Sequence, residues 1–579
     1  MRFKQLTLVA ALLGVFSSGV QAFEVKVEGV SGEVLDNVEA LLEPVRENSF
    51  TEVRQTYRAQ VDRAVKRAVQ ALGYYQSIIH YSWVEPKGDK PAILIAKIHL
   101  GEPARIASTS LTVRGEAQHD EAFEDLKKEL PEKGRQLNHG EYQRFKSSVE
   151  RAAIRRGYFD GEFVTSELGV DAVKNEAHWT FDYDAKTRYR FGDINFSGSQ
   201  IREEILVNLL PFEKGDPYTS DDISELNRRL SSTGWFNSVV VSPDIIGGRT
   251  SSDKSLPVHA HVTPKKENAV ETGLGYSTDV GPRGSLTWRK PWLNDSGHSL
   301  EATTELSALE QLADISYKIP LAESALEHYW LVQGGIKKED LNDTKSDSAS
   351  VMLSRHWAPY EGWQRDVHLR WSYDDFDQGQ ISDKTMLIYP GVTFSKTTTV
   401  GGLMPTWGLS QRYTFDWSNT AWGSDVDFFV VEAQHALIKT FADRHRFILR
   451  SHLGWIQTDE FERVPPDLRF FAGGDRSVRG YDYESISPED DNGDLTGAEK
   501  LVTGSIEYQF RVTGNWWGAI FFDIGQAVNN FNNQDWKKGA GVGVRWQSPL
   551  GPIKFDIATP IGDPDEKGVQ FYIGLGPEL

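Results

Sequence analysis

The stretch GGDRSVRGYD, from Gly473 to Asp482, places two arginines among glycines in a region that otherwise alternates like a membrane β-strand. A guanidinium group offers a planar fork of five N–H donors, so Arg476 or Arg479 could bind two carboxylates at once. This chemistry is recognition of carboxylates, not catalysis. Taken alone, an Arg-Gly-Tyr sequence is better explained by a solvated extracellular loop, so the surrounding elements must decide its role.

Motifs of enzymatic chemistry are absent from the sequence. It contains no G-x-S-x-G, no H-E-x-x-H and no phosphate-binding G-x-x-x-x-G-K. His259 and His261 alternate on one strand face, but without cysteines or an obvious third ligand they do not indicate a metal site. In EDDNGD, the position of Gly493 does not fit a calcium loop. We therefore expect no enzyme activity, no metal and no cofactor.

Composition narrows the class of protein. A chain of 579 residues contains several domains, and a formal net charge of −20 argues against a nucleic-acid binder. Aromatic residues make up 11%, with 17 Trp and 51 Gly, although the overall hydropathy is low. This combination is typical of transmembrane β-barrels, in which only alternate residues face lipid. The chain has no cysteine, so a packed core or a closed sheet must stabilise it.

The N-terminus predicts export. Arg2 and Lys4 precede a short apolar run from Leu6 to Phe16, and Val20-Gln21-Ala22 resembles a signal-peptidase site. Residues 1–22 are therefore predicted to be a secretory signal peptide. The alternative, a membrane anchor, is disfavoured because the apolar run is too short to span a bilayer. Export together with a barrel-like composition indicates a Gram-negative cell envelope.

Three related segments occupy the first half of the chain. A glycine followed by two aromatic residues occurs in ALGYYQSII, RRGYFDGEF and STGWFNSVV, with Gly73, Gly157 and Gly234 at equivalent positions. An amphipathic helix pattern precedes each glycine, and a strand pattern follows it. Each glycine is predicted to end its helix in the left-handed conformation. The predicted order is β-α-α-β-β in all three units, which disfavours three unrelated α+β domains.

From about Glu267 onward, strand alternation replaces the helix pattern. In VHLRWSY, apolar Val367, Leu369, Trp371 and Tyr373 alternate with His368, Arg370 and Ser372. Charges confined to one face suit a polar lumen and a lipid-facing outer surface. The available length allows about 16 spanning strands with loops. A soluble β-sandwich or propeller is the alternative, which the signal peptide and the tryptophan content disfavour.

The three N-terminal units resemble POTRA domains, the periplasmic modules of outer-membrane assembly factors. The third unit carries the resemblance most clearly, in LLPFEKGDPYTSDDISELNRRLSSTGWFNSVVV. The expected architecture is three tandem α+β POTRA domains followed by a transmembrane antiparallel β-barrel. The expected boundaries are listed from the signal peptide onward: 1–22, 23–103, 104–187, 188–265 and 266–579.

POTRA repeats before a barrel resemble the BamA-like assembly factors and the two-partner secretion transporters. Val478-Arg479-Gly480-Tyr481 matches their V-R-G-[FY] motif, which is carried on a loop folded into the lumen. The G-S-x-E pattern matches at Glu507. The F-x-D-x-G pattern matches at Asp523, with its aromatic residue one position either way. The resemblance implies a lumen-loop pin made of Arg479, Gly480, Tyr481, Glu507 and Asp523, in which the arginine binds carboxylates of neighbouring strands.

Three repeats, not two or five, make the whole chain resemble the TamA family, the outer-membrane subunits of translocation and assembly modules. The resemblance implies an inner-membrane-anchored partner of the TamB type. It also implies unfolded outer-membrane proteins such as autotransporters as clients, and no nucleic acid. The expected location is the outer membrane, with the POTRA domains in the periplasm. A two-partner secretion transporter and a passive pore are the alternatives.

The first and last barrel strands are predicted to form a weak lateral seam. Its residues are Gly273, Leu274, Gly275, Tyr572, Gly574 and Gly576. Glycines contribute no cross-strand side-chain contacts, and Pro577 cannot donate to a ladder. The chain ends in Leu579, whereas many outer-membrane proteins end in an aromatic residue. A client strand is expected to pair at this seam, after augmenting the open edges of the POTRA sheets.

Overall fold

A computed structural model describes residues 23–47, 53–85, 91–277, 281–360, 362–402, 404–531, 536–548, 551–563 and 568–575. The predicted signal peptide, residues 1–22, lies outside these ranges, as does Gly576. The chain forms two compact units. One takes the residues up to 194 with 212–224 and 242–258, and the other takes 195–211, 225–241 and 259 to the end.

The first two small domains share one architecture, a three-stranded sheet with two helices. The elements of the first are β1 (Phe23–Glu28), α1 (Gly32–Glu47), α2 (Arg54–Ala71), β2 (Ile78–Val84) and β3 (Ala92–His99). Those of the second are β4 (Arg105–Arg114), α3 (Glu121–Lys128), α4 (His139–Arg155), β5 (Glu162–Asp171) and β6 (Glu176–Asp184). The sheet orders are β1-β3-β2 and β4-β6-β5, so the last strand of each domain is central.

The third small domain adds one short helix to the same plan. Its elements are β7 (Arg190–Ser197), α5 (Glu203–Val207), α6 (Ser220–Ser232), β8 (Phe236–Pro243), α7 (Ile245–Thr250) and β9 (Ser255–Pro264). The sheet order β7-β9-β8 repeats that of the first two domains. The predicted β-α-α-β-β order therefore holds three times, with α7 as the one addition. Asp244 is the N-cap of this helix, and its carboxylate accepts a hydrogen bond from the Gly247 N–H.

The three repeated glycines lie at helix ends with positive φ angles. These angles are 90° at Gly73, 84° at Gly157 and 77° at Gly234. At Gly157, the glycine N–H bonds to the Ile154 carbonyl and the Tyr158 N–H bonds to the Ala153 carbonyl. This paired bonding satisfies carbonyls that the end of a helix leaves unpaired. The aromatic residues were predicted to enter the following strand, but only Phe236 of the third unit does so. In the first two units the strand begins after the aromatic pair, at Ile78 and at Glu162.

The second half of the chain forms a sixteen-stranded antiparallel barrel sheet, in agreement with the predicted fold class. Neighbours in sequence are neighbours in the sheet. The strands are β10 (Ala269–Ser277), β11 (Gly281–Lys290), β12 (Ser299–Ser307), β13 (Glu310–Pro320), β14 (Tyr329–Leu341), β15 (Thr344–Tyr360), β16 (Trp363–Gln378), β17 (Ile381–Val400), β18 (Trp407–Ser418), β19 (Phe428–Phe441), β20 (His445–Thr458), β21 (Lys500–Thr513), β22 (Trp516–Val528), β23 (Lys537–Ser548), β24 (Gly551–Pro560) and β25 (Gln570–Leu575).

The two faces of this sheet differ in chemistry. On β16, Leu369, Trp371 and Tyr373 are exposed on the outer face, whereas His368 and Ser372 are buried on the inner face. The same alternation recurs on β20 and β22. An apolar outer face and a polar inner face are the signature of a barrel that crosses a bilayer. Separately, no helix within the described ranges is long and apolar enough to cross a membrane.

The third small domain bonds to the turns at one end of the barrel. The Trp235 indole is buried, and its Nε1–H donates to the Gly297 carbonyl at 2.9 Å. The Arg202 N–H donates to the Asp295 carbonyl at 3.0 Å, and the Asn208 amide donates to the Ala322 carbonyl at 2.7 Å. All of these residues belong to one compact unit. The third small domain therefore contacts the end of the barrel that carries the turn around Asp295.

The helix-end glycines give a matched pair of stability predictions. Gly234→Ala should cost about 1–2 kcal/mol, because a left-handed L-residue is strained although no atom lies within 4 Å of the new methyl. Gly157→Ala should cost more, since its methyl would also lie 3.0 Å from the Tyr218 Cβ. Urea unfolding of the detergent-solubilised chain, followed by circular dichroism at helix wavelengths, measures both. Equal losses of stability would contradict the steric part of the argument.

Candidate functional site

The segment between β20 and β21, residues 459–499, packs against the inner face of the barrel sheet. Its buried apolar residues include Val464, Phe470, Val478, Tyr481 and Ile486. They form one cluster with Val426, which precedes β19, and with inner-face residues of the strands, which are Leu387, Tyr389, Phe428, Val430, Ile456, Leu501 and Ala527. We call this segment the lumen loop. Apolar burial therefore holds it inside the barrel.

Two glycines allow the lumen loop to lie directly on the strands. Gly480 has a φ of 106°, and a Cβ there would lie 2.7 Å from the Thr559 carbonyl carbon on β24. Gly539 on β23 faces the same segment, and a Cβ there would lie 1.7 Å from the Arg479 carbonyl oxygen. Neither position has room for a side chain. The lumen-loop backbone at 479–480 can therefore reach the inner wall only because positions 480 and 539 are both glycine.

Arg479 is 1% exposed and binds carboxylates from three strands. Its Nε donates to Asp523 Oδ2 at 2.7 Å, and its Nη2 donates to Asp523 Oδ1 at 3.0 Å. Its Nη1 donates to Glu507 Oε2 at 2.9 Å and lies 3.3 Å from Asp556 Oδ2. The guanidinium carbon also stacks 3.4 Å from the centre of the Phe521 ring. The carboxylates and the Phe521 ring together stabilise the Arg479 guanidinium, which is shielded from water.

A second buried guanidinium completes this network. Arg545 on β23 is 1% exposed and donates to Glu507 Oε1 at 2.7 Å and to Asp556 Oδ2 at 3.1 Å. Two cations thus face three carboxylates. From its position on β23, Arg545 links Glu507 on β21 to Asp556 on β24. The Gln509 amide also donates to Glu507 Oε1, at 2.7 Å. Each carboxylate therefore has several donors, as buried charges require.

The structure brings together Arg479, Glu507 and Asp523, the charged residues expected to meet. It also distinguishes the two candidate aromatics. Phe521 lies on the inner face beneath Arg479, whereas Phe522 is exposed on the outer face. Arg476 is exposed, so only one arginine of the opening stretch enters the network.

The sequence interpretation missed Arg545 and Asp556. Both occupy the polar phase of an alternating strand: Val544 and Trp546 flank the arginine and are exposed on the outer face. A charged residue at an inner-face position between two lipid-facing residues is a readable signal. The pattern could have nominated both residues as lumen charges. It could not have paired them, because pairing depends on strand register.

Among the residues predicted for the seam, Gly273, Leu274 and Gly275 lie on β10, while Tyr572 and Gly574 lie on β25. The Leu274 side chain is fully exposed on the outer face. Gly574 is not left bare, since a Cβ there would lie 2.4 Å from Cε of Lys554 on β24. Lysine methylenes therefore occupy the space that the missing side chain leaves. This contact belongs to the β24–β25 pair, so the predicted thin contact between β10 and β25 stays a prediction.

Strands β10 and β25 stand at the two ends of the sheet order. Their Cα atoms approach within 8 Å, so the two ends of the sheet are adjacent in space. Over the described residues, however, the hydrogen-bonded order runs from β10 to β25 without joining them. Each end strand thus has one ladder partner, β11 or β24. Within the same residues, no cluster of His, Asp or Glu side chains is suited to hold a metal ion.

More than half of the chain matches a single protein-family model. A model described as the Omp85 superfamily domain matches residues 265–578. The chain belongs to the Omp85 superfamily. Further models match the small domains. One is described as POTRA domain, TamA domain 1, over residues 24–100, and the other as surface antigen variable number repeat, over residues 189–265.

Two relatives carry the description outer membrane protein assembly factor BamA. That of Nitratidesulfovibrio vulgaris is 23% identical over 445 residues, which cover 72% of this chain and 55% of the relative. That of Neisseria meningitidis serogroup B is 22% identical over 623 residues, which cover 92% of this chain and 74% of the relative. The chain therefore spans about half the length of the first relative.

One solved structure, BamA from Haemophilus ducreyi lacking POTRA domains 1–3, is similar in fold. Its TM-score is 0.66 at 16% identity, with 82% of this chain and 99% of that chain covered. At this identity the likeness concerns the fold alone. It agrees with an Omp85 chain built of POTRA domains followed by a β-barrel.

The buried ion network predicts that loss of Arg479 impairs activity without preventing folding of the barrel. Arg479→Ala should leave an exported barrel that still shifts its gel mobility on heating, because the strand ladders remain. It should nevertheless impair the assembly of outer-membrane clients, the activity proposed for this chain in the next subsection. It leaves buried carboxylates without their cation, and breaking such a pair costs about 3–5 kcal/mol in proteins. Heat-modifiable mobility and a client-assembly assay measure the two effects.

Two matched variants sharpen this test. Arg476→Ala removes an exposed arginine three residues away and should change neither readout. Arg479→Lys keeps the charge but loses the planar fork, so it should restore activity only in part. A fully active Arg479→Ala protein would contradict the proposed role, and loss of the folded barrel itself would make the role purely structural.

Proposed function

We propose that this Omp85 protein is the outer-membrane subunit of a translocation and assembly module, similar to TamA. In this proposal it inserts or secretes β-rich outer-membrane proteins such as autotransporters. It resides in the outer membrane of a Gram-negative bacterium, with its POTRA domains in the periplasm. An inner-membrane-anchored subunit of the TamB type is its partner. The TamA description of the model that matches the first small domain favours this subgroup.

The observation that carries the proposal is that β10 and β25 are adjacent but, over the described residues, share no ladder. A strand in lipid must pair its backbone N–H and C=O groups, because the bilayer core offers no water to replace a partner. Two adjacent end strands without a shared ladder form the place where an added strand gains hydrogen bonds. A client strand could pair there one residue at a time, so insertion requires no nucleotide.

The small domains supply edges for the earlier step. In each three-stranded sheet the outer strands keep one free edge, for example β2 in the first domain and β5 in the second. An extended client or partner segment can add to such an edge by backbone hydrogen bonding. Exposed Ile78 on β2 and Val164 on β5 offer apolar contact beside these edges.

A passive pore and a two-partner secretion transporter are the competing functions. The lumen loop argues against a passive pore, because its buried apolar cluster and ion network occupy the inner face. Three POTRA domains argue against a two-partner transporter, which typically carries two. The decisive difference is use of the seam, since a pore or a lumen transporter needs no separation of β10 from β25.

The seam can be tested because the chain has no native cysteine. Cysteines are placed one on β10, at 270–274, and one on β25, at 571–574, with several pairs tried. A pair that oxidises efficiently should block client assembly, and reductant should restore it, because a covalent link prevents the strands from separating. The matched control is Thr304→Cys with Ala313→Cys, which face each other in the existing ladder of β12 and β13. Locking that pair should change nothing.

If the locked seam assembles clients as fast as the reduced one, lateral opening is not the mechanism. The control then shows whether oxidation itself was harmless. A route through the lumen or local thinning of the bilayer would replace the seam in that case.

Partner docking gives a second test. Deleting residues 23–103 should abolish co-purification of the TamB-type partner without preventing barrel insertion, because the first domain is farthest along the chain from the barrel. A finer comparison uses Ile78→Lys on the free edge of β2 and Val164→Lys on that of β5, since edge lysines oppose strand addition. Only the β2 variant should weaken partner binding. Retained co-purification after the deletion would refute docking at the first domain.

A further inference from the structure

The last strand is weakly specified by its own sequence. Over the described residues, β25 forms six pairs with β24, from Gln570–Ala558 to Leu575–Ile553. Its outer residues Phe571 and Ile573 are both apolar, so a shift of two positions would keep an apolar outer face. Short, glycine-containing strands are prone to such slippage of register. A strand with only one ladder partner therefore needs another constraint to hold its position.

The lumen loop provides contacts to successive inner-face positions of β25. The Gln570 amide donates to Asp482 Oδ1 at 2.6 Å. Two residues along, Tyr572 Oη accepts from the Gly480 N–H at 2.9 Å and donates to the Tyr481 carbonyl at 3.0 Å. At the third position, Gly574 leaves room for Lys554, whose Nζ lies 2.8 Å from Asp475 Oδ2.

These contacts run in order along both segments. Moving along β25 from Gln570 to Gly574, the loop partner moves from Asp482 back to Asp475. A shift of β25 by two residues would carry the Tyr572 hydroxyl about 7 Å away from the Gly480-Tyr481 backbone. Both hydrogen bonds of the hydroxyl would then be lost. The loop thus distinguishes one register of β25 from its neighbours.

Tyr572 also touches the ion network. Its side chain is 2% exposed and packs in one cluster with Phe521 and Ala558. Phe521 is the ring on which the Arg479 guanidinium stacks. The two residues that Tyr572 binds, Gly480 and Tyr481, directly follow Arg479 in the chain. Arg479 therefore holds in place the Gly480 N–H and the Tyr481 carbonyl, which are the two groups that Tyr572 binds.

We infer that Tyr572 is a positioning residue through which the lumen loop sets the register of the last strand at the seam. The inference rests on the proposed function for its consequence, because the strand edge that a client would pair with is β25. Arg479 acts on the seam through this contact, by holding the Gly480-Tyr481 backbone in place. The lumen loop and the seam are therefore structurally coupled through Tyr572.

Disulfide trapping between β24 and β25 measures the register directly. Phe555 faces Ile573 in the observed ladder, so Phe555→Cys with Ile573→Cys reports this register. Phe555→Cys with Phe571→Cys reports a shift of two residues, since diagonal neighbours are normally too far apart for a disulfide. Tyr572→Phe keeps the ring and removes only the hydroxyl. Loss of its two hydrogen bonds should shift the ratio of the two disulfides roughly tenfold toward the slipped pair.

Three further variants test whether the change in the ratio of the two disulfides comes from the contact between Tyr572 and the lumen loop. Tyr508→Phe removes a hydroxyl that bonds to His445 on β20 and should leave the ratio unchanged. Gln570→Ala removes the neighbouring contact and should give a smaller shift in the same direction. Arg479→Ala should reproduce the shift of Tyr572→Phe, because it frees the backbone that Tyr572 binds. Heat-modifiable mobility checks that every variant is a folded barrel.

Client assembly, measured on cysteine-free Tyr572→Phe, separates this inference from the proposed function. A shifted ratio with slower assembly supports both. A shifted ratio with unchanged assembly supports register control by Tyr572 and overturns client pairing at the seam. An unchanged ratio in folded Tyr572→Phe overturns the inference, whatever the assembly rate.

Discussion

The Arg479 guanidinium, buried among three carboxylates, is the interaction on which the rest of the barrel interior depends. A buried charge is costly unless its hydrogen bonds are complete, so the network tolerates little displacement of any member. Its members come from the lumen loop and from β21, β22, β23 and β24. A slip of one residue in any of these strands would turn a charged side chain toward lipid. The network therefore specifies strand register as well as loop position.

The same constraint explains the glycines and the loop cluster around the network. A guanidinium can reach Asp523 only if the loop backbone lies against the wall, and Gly480 and Gly539 remove the side chains that would prevent this. The apolar cluster of Val478 and Tyr481 with the strands then excludes water from the ion pairs. A lower local polarity strengthens each remaining pair. Apolar burial and charge pairing thus support each other, and neither alone would fix the loop.

Much of this architecture was predictable from sequence, because its signals are local. Alternation over VHLRWSY separates the two barrel faces, and Gly73, Gly157 and Gly234 mark three helix ends within repeated segments. The pairing of Arg479 with Glu507 and Asp523 was predictable only through a family motif. Arg545 and Asp556 escaped, and Tyr572 was predicted only as a seam residue without its lumen-loop partners. These partners are distant in sequence and depend on strand register. Register is a property of the folded sheet, and period-two patterns are unchanged by a shift of two residues.

Over the part of the chain that the structure describes, the ladder between β10 and β25 is open. This requires a physical explanation, because unpaired backbone groups are costly in the bilayer core. One solution would be a tight closure between β10 and β25, but that would remove the edge at which we propose that an incoming strand pairs. The arrangement in this protein is different. The inner face of β25 is held by the lumen loop, so the strand keeps its position without a ladder on its second edge. Side-chain contacts from inside the barrel thereby replace part of the constraint that backbone pairing supplies elsewhere. The proposed strand addition requires an edge that is held in position yet lacks a ladder partner, as the edge of β25 does over the described residues. The buried arginine contributes by fixing the loop that positions this strand.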